Sequence, residues 1–187
     1  MLPIILDVSC MRIAVIGQGP QAIRRLRLVD AAQAHNVQVY SADADDEFRE
    51  KAGDRLIDRL PTEDELASFN VAYVAGVAEE EEERLTSWAR AHKTLINVED
   101  VRPRCDFHVP ATVRRGDLLL TVSTGGKSPG LARRLQKDLE HKYPELWAER
   151  LNELAAAREA WRSQGLSFSD LISRTDQYIR EKEWFDE

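Results

Sequence analysis

Three stretches of this 187-residue chain carry residue types and spacings that could do chemistry. The first is Gly17-Gln18-Gly19-Pro20-Gln21-Ala22, which follows the apolar run Met11–Ile16 and opens a helix-like stretch. That is the setting of a dinucleotide turn: Gly17 permits a tight bend, Gly19 lets backbone approach a pyrophosphate, and Ala22 keeps the helix close to the sheet. The second is Asn97-Val98-Glu99-Asp100, at the carboxyl end of another apolar run. Ligands collect at that edge of an open α/β sheet, so a carboxylate there reads as a proton acceptor facing a crevice, or equally as a loop aspartate capping a turn. The third is Ser123-Thr124-Gly125-Gly126-Lys127-Ser128-Pro129. Gly126-Lys127-Ser128 resembles the end of a phosphate loop, but Thr121 stands where the first glycine of that loop is required. Ser128 instead reads as an N-cap and Pro129 as the first residue of a new helix.

The elements that must position these residues follow from periodicity. Met11–Ile16 is a continuous apolar run suited to a strand buried on both faces, Pro20–Ala34 reads as a helix, and Val37–Tyr40 as a second strand, which together make a βαβ unit. Further strands are expected at Arg55–Leu60, Val71–Ala75 and Thr94–Val98, with a helix over Glu79–His92 on which Leu85, Trp88, Ala89 and His92 share a face. The run Glu79–Glu83 reads as a solvated first turn favoured by the helix dipole. This alternation predicts a right-handed, doubly wound parallel sheet. After Pro110 the pattern changes to a strand over Leu118–Ser123 and helices over Pro129–Tyr143, Pro144–Ser163 and Ser169–Trp184, with Gly165 as a breaker. Trp147, Trp161 and Trp184 are expected to pack a core or a lid.

Composition narrows the function classes. The net charge of −7 argues against nonspecific nucleic-acid binding, and the absence of a long apolar run or a signal-peptide pattern predicts a cytoplasmic protein. Cys10 and Cys105 are far apart and form no metal-spaced motif, and His35, His92, His108 and His141 share no ligand spacing, so no metal site is expected. Both thiols read as buried. Between Ala111 and Lys142 there are seven basic residues against three acidic ones, a local positive surplus on an acidic chain. Such a patch suits a small polyanionic ligand better than a duplex.

Taken in order, LPIILD at 2–7, GQGPQAIRR at 17–25, INVED at 96–100, CDFHVPA at 105–111 and STGGKSPGLARRL at 123–135 resemble the siroheme-synthase dehydrogenase and ferrochelatase family over about residues 1–145. The resemblance implies an α/β protein with a Rossmann-like NAD-binding domain (1–110), a dimerisation segment carrying STGGKSP (111–143) and a C-terminal helical segment (144–187). It implies a homodimer that oxidises precorrin-2 to sirohydrochlorin with NAD, leaving open whether the chain also inserts ferrous iron, and it implies a stand-alone form without the methyltransferase domain that some relatives carry. By the same resemblance Asp100 is the catalytic carboxylate. Gly17, Gln18, Gly19, Pro20, Gln21, Ser41, Asp43 and Gly76 are the cofactor-binding candidates. The tetrapyrrole, rich in carboxylates, would meet Asn97, His108, Ser123, Thr124, Gly125, Gly126, Lys127, Ser128 and Arg133, with Arg114, Arg115 and Arg134 adding positive charge. The chain departs from the family's pattern at Gln18, where a glycine is usual, at Pro20, and at Gly76-Val77-Ala78, where many relatives carry Thr and Asp. Those departures keep a second reading open, a noncatalytic tetrapyrrole- or nucleotide-binding protein of the same fold.

Overall fold

In the computed structural model, which describes residues 1–185, the chain divides into two compact units that meet in sequence between Val109 and Pro110. In the first, strands β1 (Arg12–Gly17), β2 (Asn36–Tyr40), β3 (Leu56–Ile57), β4 (Val71–Ala75) and β5 (Leu95–Val98) form a parallel sheet in the order β3-β2-β1-β4-β5. Side-chain alternation sends Ile13 and Val15 to one face, against Ala22, Ile23, Leu26 and Val29 of α1 (Gly19–Ala31) and Phe48 of α2 (Asp46–Ala52). Ala14 and Ile16 point to the other, against Leu66 of α3 (Glu63–Ala67) and Leu85 and Ala89 of α4 (Glu79–Ala91). Residues 13–17 are therefore buried throughout, and the expected doubly wound sheet is what forms.

Strand order reverses between β1 and β4, so the connections leaving their carboxyl ends run to opposite faces of the sheet, the switch point at which this class of sheet binds ligands. Several boundaries differ from the periodicity reading. α1 stops at Ala31 rather than Ala34, because Gln33 takes a left-handed φ of 57°. β3 shrinks to two residues, since only Leu56 and Ile57 find partners, on Val39 and Tyr40. Two short helices were not anticipated, and both are made by caps rather than by apolar periodicity. The Asp45 carboxylate accepts from the Phe48 N–H at 2.8 Å, and Thr62 forms a reciprocal capping box with Glu65.

The second unit begins with an antiparallel pair, β6 (Ala111–Arg115) and β7 (Leu118–Val122), joined at Gly116, whose φ of 57° the tight turn requires. β6 was also unanticipated. Three helices follow: α5 (Pro129–Lys142), α6 (Leu146–Ser163) and α7 (Phe168–Glu181). Trp161 and Leu171 are buried, and edge-on aromatic contacts run from Trp161 to Tyr178, Trp184 and Trp147, with centroid separations of 5.7, 5.9 and 6.2 Å. Among the described residues no helix is long and apolar enough to cross a membrane.

Candidate functional site

The glycine turn is built by backbone crowding. A Cβ on Gly17 would lie 1.7 Å from the Ala75 carbonyl oxygen, and one on Gly76 would lie 2.5 Å from the Gln18 carbonyl oxygen. Both glycines also hold positive φ, 141° and 71°. The turns after β1 and β4 thus touch main chain to main chain, sealed by the Gln18 N–H donating to Ala75 O at 3.1 Å. Only glycine fits either place. Gly76 therefore has a packing reason, whereas nothing in the structure explains Val77 and Ala78.

Gln18 occupies the position N-terminal to α1 in extended backbone and supplies no side-chain cap. The first turn of α1 contains no acidic residue, and Pro20 sits in it without loss because the N–H it lacks would have had no helical partner. Gly19 and Gln21 present main-chain N–H groups at the positive end of the helix dipole, and a Cβ at Gly19 would meet only the Gln21 side chain, at 3.7 Å. These residues fit a dinucleotide pyrophosphate: an uncapped helix start, open in front of Gly19, at the switch point of the sheet. At the end of β2, Ser41 is fully buried and its hydroxyl has no partner, while Asp43 is exposed two residues on.

β5 delivers the carboxylate. The Glu99 N–H extends the β4–β5 ladder by bonding Val74 O at 2.9 Å, and the Val101 N–H closes a turn onto Val98 O at 3.3 Å. Asp100 lies within that turn, exposed, with φ 62°. This left-handed conformation is unusual away from glycine, although aspartate tolerates it better than most residues. The loop is stitched from beneath. Buried Asn97 donates through Nδ2 to Phe107 O at 2.9 Å and to the Cys105 sulfur at 3.5 Å, and the Cys105 thiol reaches Val98 O at 3.1 Å. Burial pushes that thiol above the usual cysteine range, so Cys105 acts as a neutral donor. Cys10, in contrast, is exposed, contrary to its reading as a buried thiol. His108 is exposed just past this segment.

Sequence reasoning assigned no role to Glu99, Arg24 or Arg25. The Glu99 side chain is 11% exposed and meets Arg24 at 2.9 Å and Arg25 at 3.7 Å, both from α1. Strand parity could have shown it, because Asn97 and Glu99 must face the same side as α1 if Ile96 and Val98 face the other.

In the second unit the Ser123–Ser128 loop satisfies much of its own polarity. Thr124 Oγ1 accepts from the Ser128 N–H at 3.2 Å and donates to Ser128 O, while Ser128 Oγ caps α5 by accepting from the Leu131 N–H at 3.2 Å. The Lys127 N–H bonds Thr124 O at 3.1 Å, and the Gly125 N–H bonds Ser123 Oγ at 3.3 Å. Gly125 and Gly126, with φ 64° and 77°, make the turn possible. Lys127 and Arg133 remain exposed beside it, as does Arg134, which pairs with Asp138 at 3.2 Å. Arg115 is not free for a ligand: its guanidinium holds Tyr143 O at 2.8 Å and Glu145 at 3.1 Å, tying β6 to the end of α5. The glutamates of α4 are likewise more organised than a solvated turn, since Arg104, 16% exposed, joins Glu79, Glu82 and Glu83.

Fold and glycine turn together define a Rossmann-type dinucleotide-binding protein. A family model described as "Putative NAD(P)-binding" matches residues 4–111, and the chain belongs to that family. It is similar to the siroheme synthase of Nitrosococcus oceani, 32% identical over 158 residues, covering 83% of this chain and 33% of the relative. It is also similar to that of Methylococcus capsulatus, 34% identical over 148 residues, covering 76% and 31%. The chain thus spans about a third of the length of these curated relatives, and the resemblance read from its motifs is borne out. Among solved structures, SirC, precorrin-2 dehydrogenase, shares the fold with a TM-score of 0.75 at 23% identity, over 96% of this chain and 89% of that one.

Proposed function

We propose that the chain catalyses NAD-dependent oxidation of precorrin-2 to sirohydrochlorin in siroheme or related tetrapyrrole biosynthesis. The observation that carries this is Asp100, held in left-handed backbone at the same sheet edge as the uncapped α1. NAD, when bound, accepts a hydride from the macrocycle. The protein's own work is to place and neutralise. Gly19 and Gln21 N–H groups hold the pyrophosphate, Asp43 meets the adenine ribose, and Gly76 leaves the approach bare of side chains. Asp100 takes the proton released with the hydride, which balances the reaction as precorrin-2 plus NAD giving sirohydrochlorin, NADH and a proton. Lys127 and Arg133 offer charge-assisted bonds to the substrate's carboxylates, with the Ser123–Ser128 turn setting their position. Asn97 keeps the Asp100 loop seated. His108 is the further substrate contact on that segment.

In this reading the protein is a cytoplasmic homodimer, residues 1–110 bind the dinucleotide, 111–143 dimerise, and the segment 144–187, whose last two residues lie outside the described ones, is the C-terminal extension that carries α6 and α7. Half-buried Leu118–Leu120 and the exposed Leu131 and Leu135 of α5 support the dimer segment. Insertion of ferrous iron into the product, with Asp100 accepting the pyrrole protons, is the second activity to assay.

Asp100→Asn tests the reaction, because asparagine tolerates the backbone conformation and removes only the acceptor. In anaerobic incubation with precorrin-2 and NAD, sirohydrochlorin formation followed by absorbance should fall by about 10²- to 10⁴-fold with the melting temperature unchanged. Sirohydrochlorin appearing at the parental rate would remove Asp100 from the mechanism. NAD titration of the parental protein with no saturable binding would leave only the noncatalytic reading.

A further inference from the structure

We infer that Glu99 is the positioning residue for Asp100, working as a strut between the dinucleotide helix and the turn that presents the acid. The inference rests on the dehydrogenase reading for its catalytic consequence and on geometry alone for its structural one.

The backbone of the turn is poorly determined by its own sequence. Asp100 has a positive φ without being glycine, a strained conformation that persists only when its surroundings hold it. Beneath the turn, Asn97 and Cys105 fix the incoming strand and the returning segment. Above it, Glu99 carries the turn back into the fold by a charged contact. Its carboxylate is gripped from α1 by Arg24 at 2.9 Å, a hydrogen-bonded ion pair, and by Arg25 at 3.7 Å, a purely electrostatic contact. The inner pair is shielded, with Glu99 and Arg25 11% and 18% exposed, and among the described residues neither Glu99 Oε2 nor Arg25 Nε has another partner. A charge so desolvated is strongly disfavoured without its counter-charge, so the two sides keep each other in place. The consequence is mechanical. Arg24 and Arg25 stand one turn beyond Gly19 and Gln21, the N–H groups that face the pyrophosphate, so the acid is registered to the same helix that seats the cofactor.

Glu99→Gln, Arg24→Gln and the double variant test this with three readouts on the full chain: NAD affinity by titration, kcat for precorrin-2 oxidation, and amide hydrogen exchange of the protein without NAD. The expected result for Glu99→Gln is a kcat loss of about 10- to 100-fold, since a misplacement of about 1 Å is worth that much, with the NAD dissociation constant within about threefold. Exchange at the Glu99 and Val101 amides should accelerate while β1 and β4 keep their protection. The double variant should be no worse than Glu99→Gln alone, the non-additivity expected of two ends of one strut. Unchanged exchange at Glu99 and Val101 would overturn the inference, as would losses that add in the double variant or faster exchange throughout the unit. Should Glu99→Gln fail to fold, Glu99→Asp keeps the charge with a shorter reach and must show the same local loosening. If the parental protein turns over no precorrin-2, the reaction assigned above fails, and the exchange readout still decides the strut.

Discussion

The chain uses the pattern of strand, glycine turn and proline-started helix twice, and the two versions end in opposite states. At β1 the turn is Gly17-Gln18-Gly19-Pro20, the strand is buried throughout, and the helix start has no side-chain cap. At β7 the turn is Thr124-Gly125-Gly126-Lys127-Ser128-Pro129, the strand is half-buried, and Ser128 and Thr124 satisfy the helix start and the loop from within. The first leaves main-chain donors open to an anion. The second closes its own donors and leaves cationic side chains on the outside. A helix N-terminus is thus an anion site only when its neighbours decline to cap it.

The contrast is sharpest at the glycines. Gly17→Ala forces a Cβ to 1.7 Å from Ala75 O in a backbone region closed to alanine, and should destabilise the first unit by about 3 kcal/mol or more. Gly130→Ala, in the first turn of α5, meets nothing within 4 Å and should stabilise by about 0.5 kcal/mol through helix propensity. Denaturant titrations of the pair check this. Equal and small effects would mean the main-chain contact between the β1 and β4 turns is not needed.

The caps come next in size. Ser128→Ala removes the bond to the Leu131 N–H and should cost about 1 kcal/mol, whereas Gln18→Ala removes no cap and should leave stability nearly unchanged. Thermal melts in parallel would break the comparison if Gln18→Ala proved the more harmful.

The smallest effect is a pH dependence away from both turns. Arg59 and the Thr62 backbone hold the Glu65 carboxyl at about 2, below its ordinary value of 4.5. A depressed folded-state value means the capping box contributes fully above pH 4.5 and loses its contribution as pH falls from there towards about 2. Glu65 is partly exposed, so the effect is screened. The melting-temperature gap between the parental protein and Glu65→Gln should narrow over that acid range, and a constant gap would remove the linkage.

Legibility in the sequence followed the kind of force involved. The doubly wound sheet could be read because each strand buried on both faces must be apolar without interruption, as Met11–Ile16 and Val71–Ala75 are. α2 and α3 escaped that reading because caps at Asp45 and Thr62, rather than an apolar stripe, make them. β6 escaped because Arg114 and Arg115 mask a strand whose only fully buried side chain is Val113. In the site, place after β5 marked out a carboxylate without choosing between Glu99 and Asp100, and only the family resemblance of INVED selected Asp100.

By itself, then, the amino-acid order determined the sheet, the need for glycine at 17 and 19, the proline-started helices and the uneven charge. Those are local properties: burial period, allowed φ, missing N–H groups. Only tertiary structure decided that Gly76 must be bare because Gln18's carbonyl lies against it, that Arg115 serves α5 rather than a ligand, and that Glu99 is gripped by two arginines some 75 residues earlier. Each depends on the distance between atoms far apart in the chain, which is set when the strands pair in their particular order.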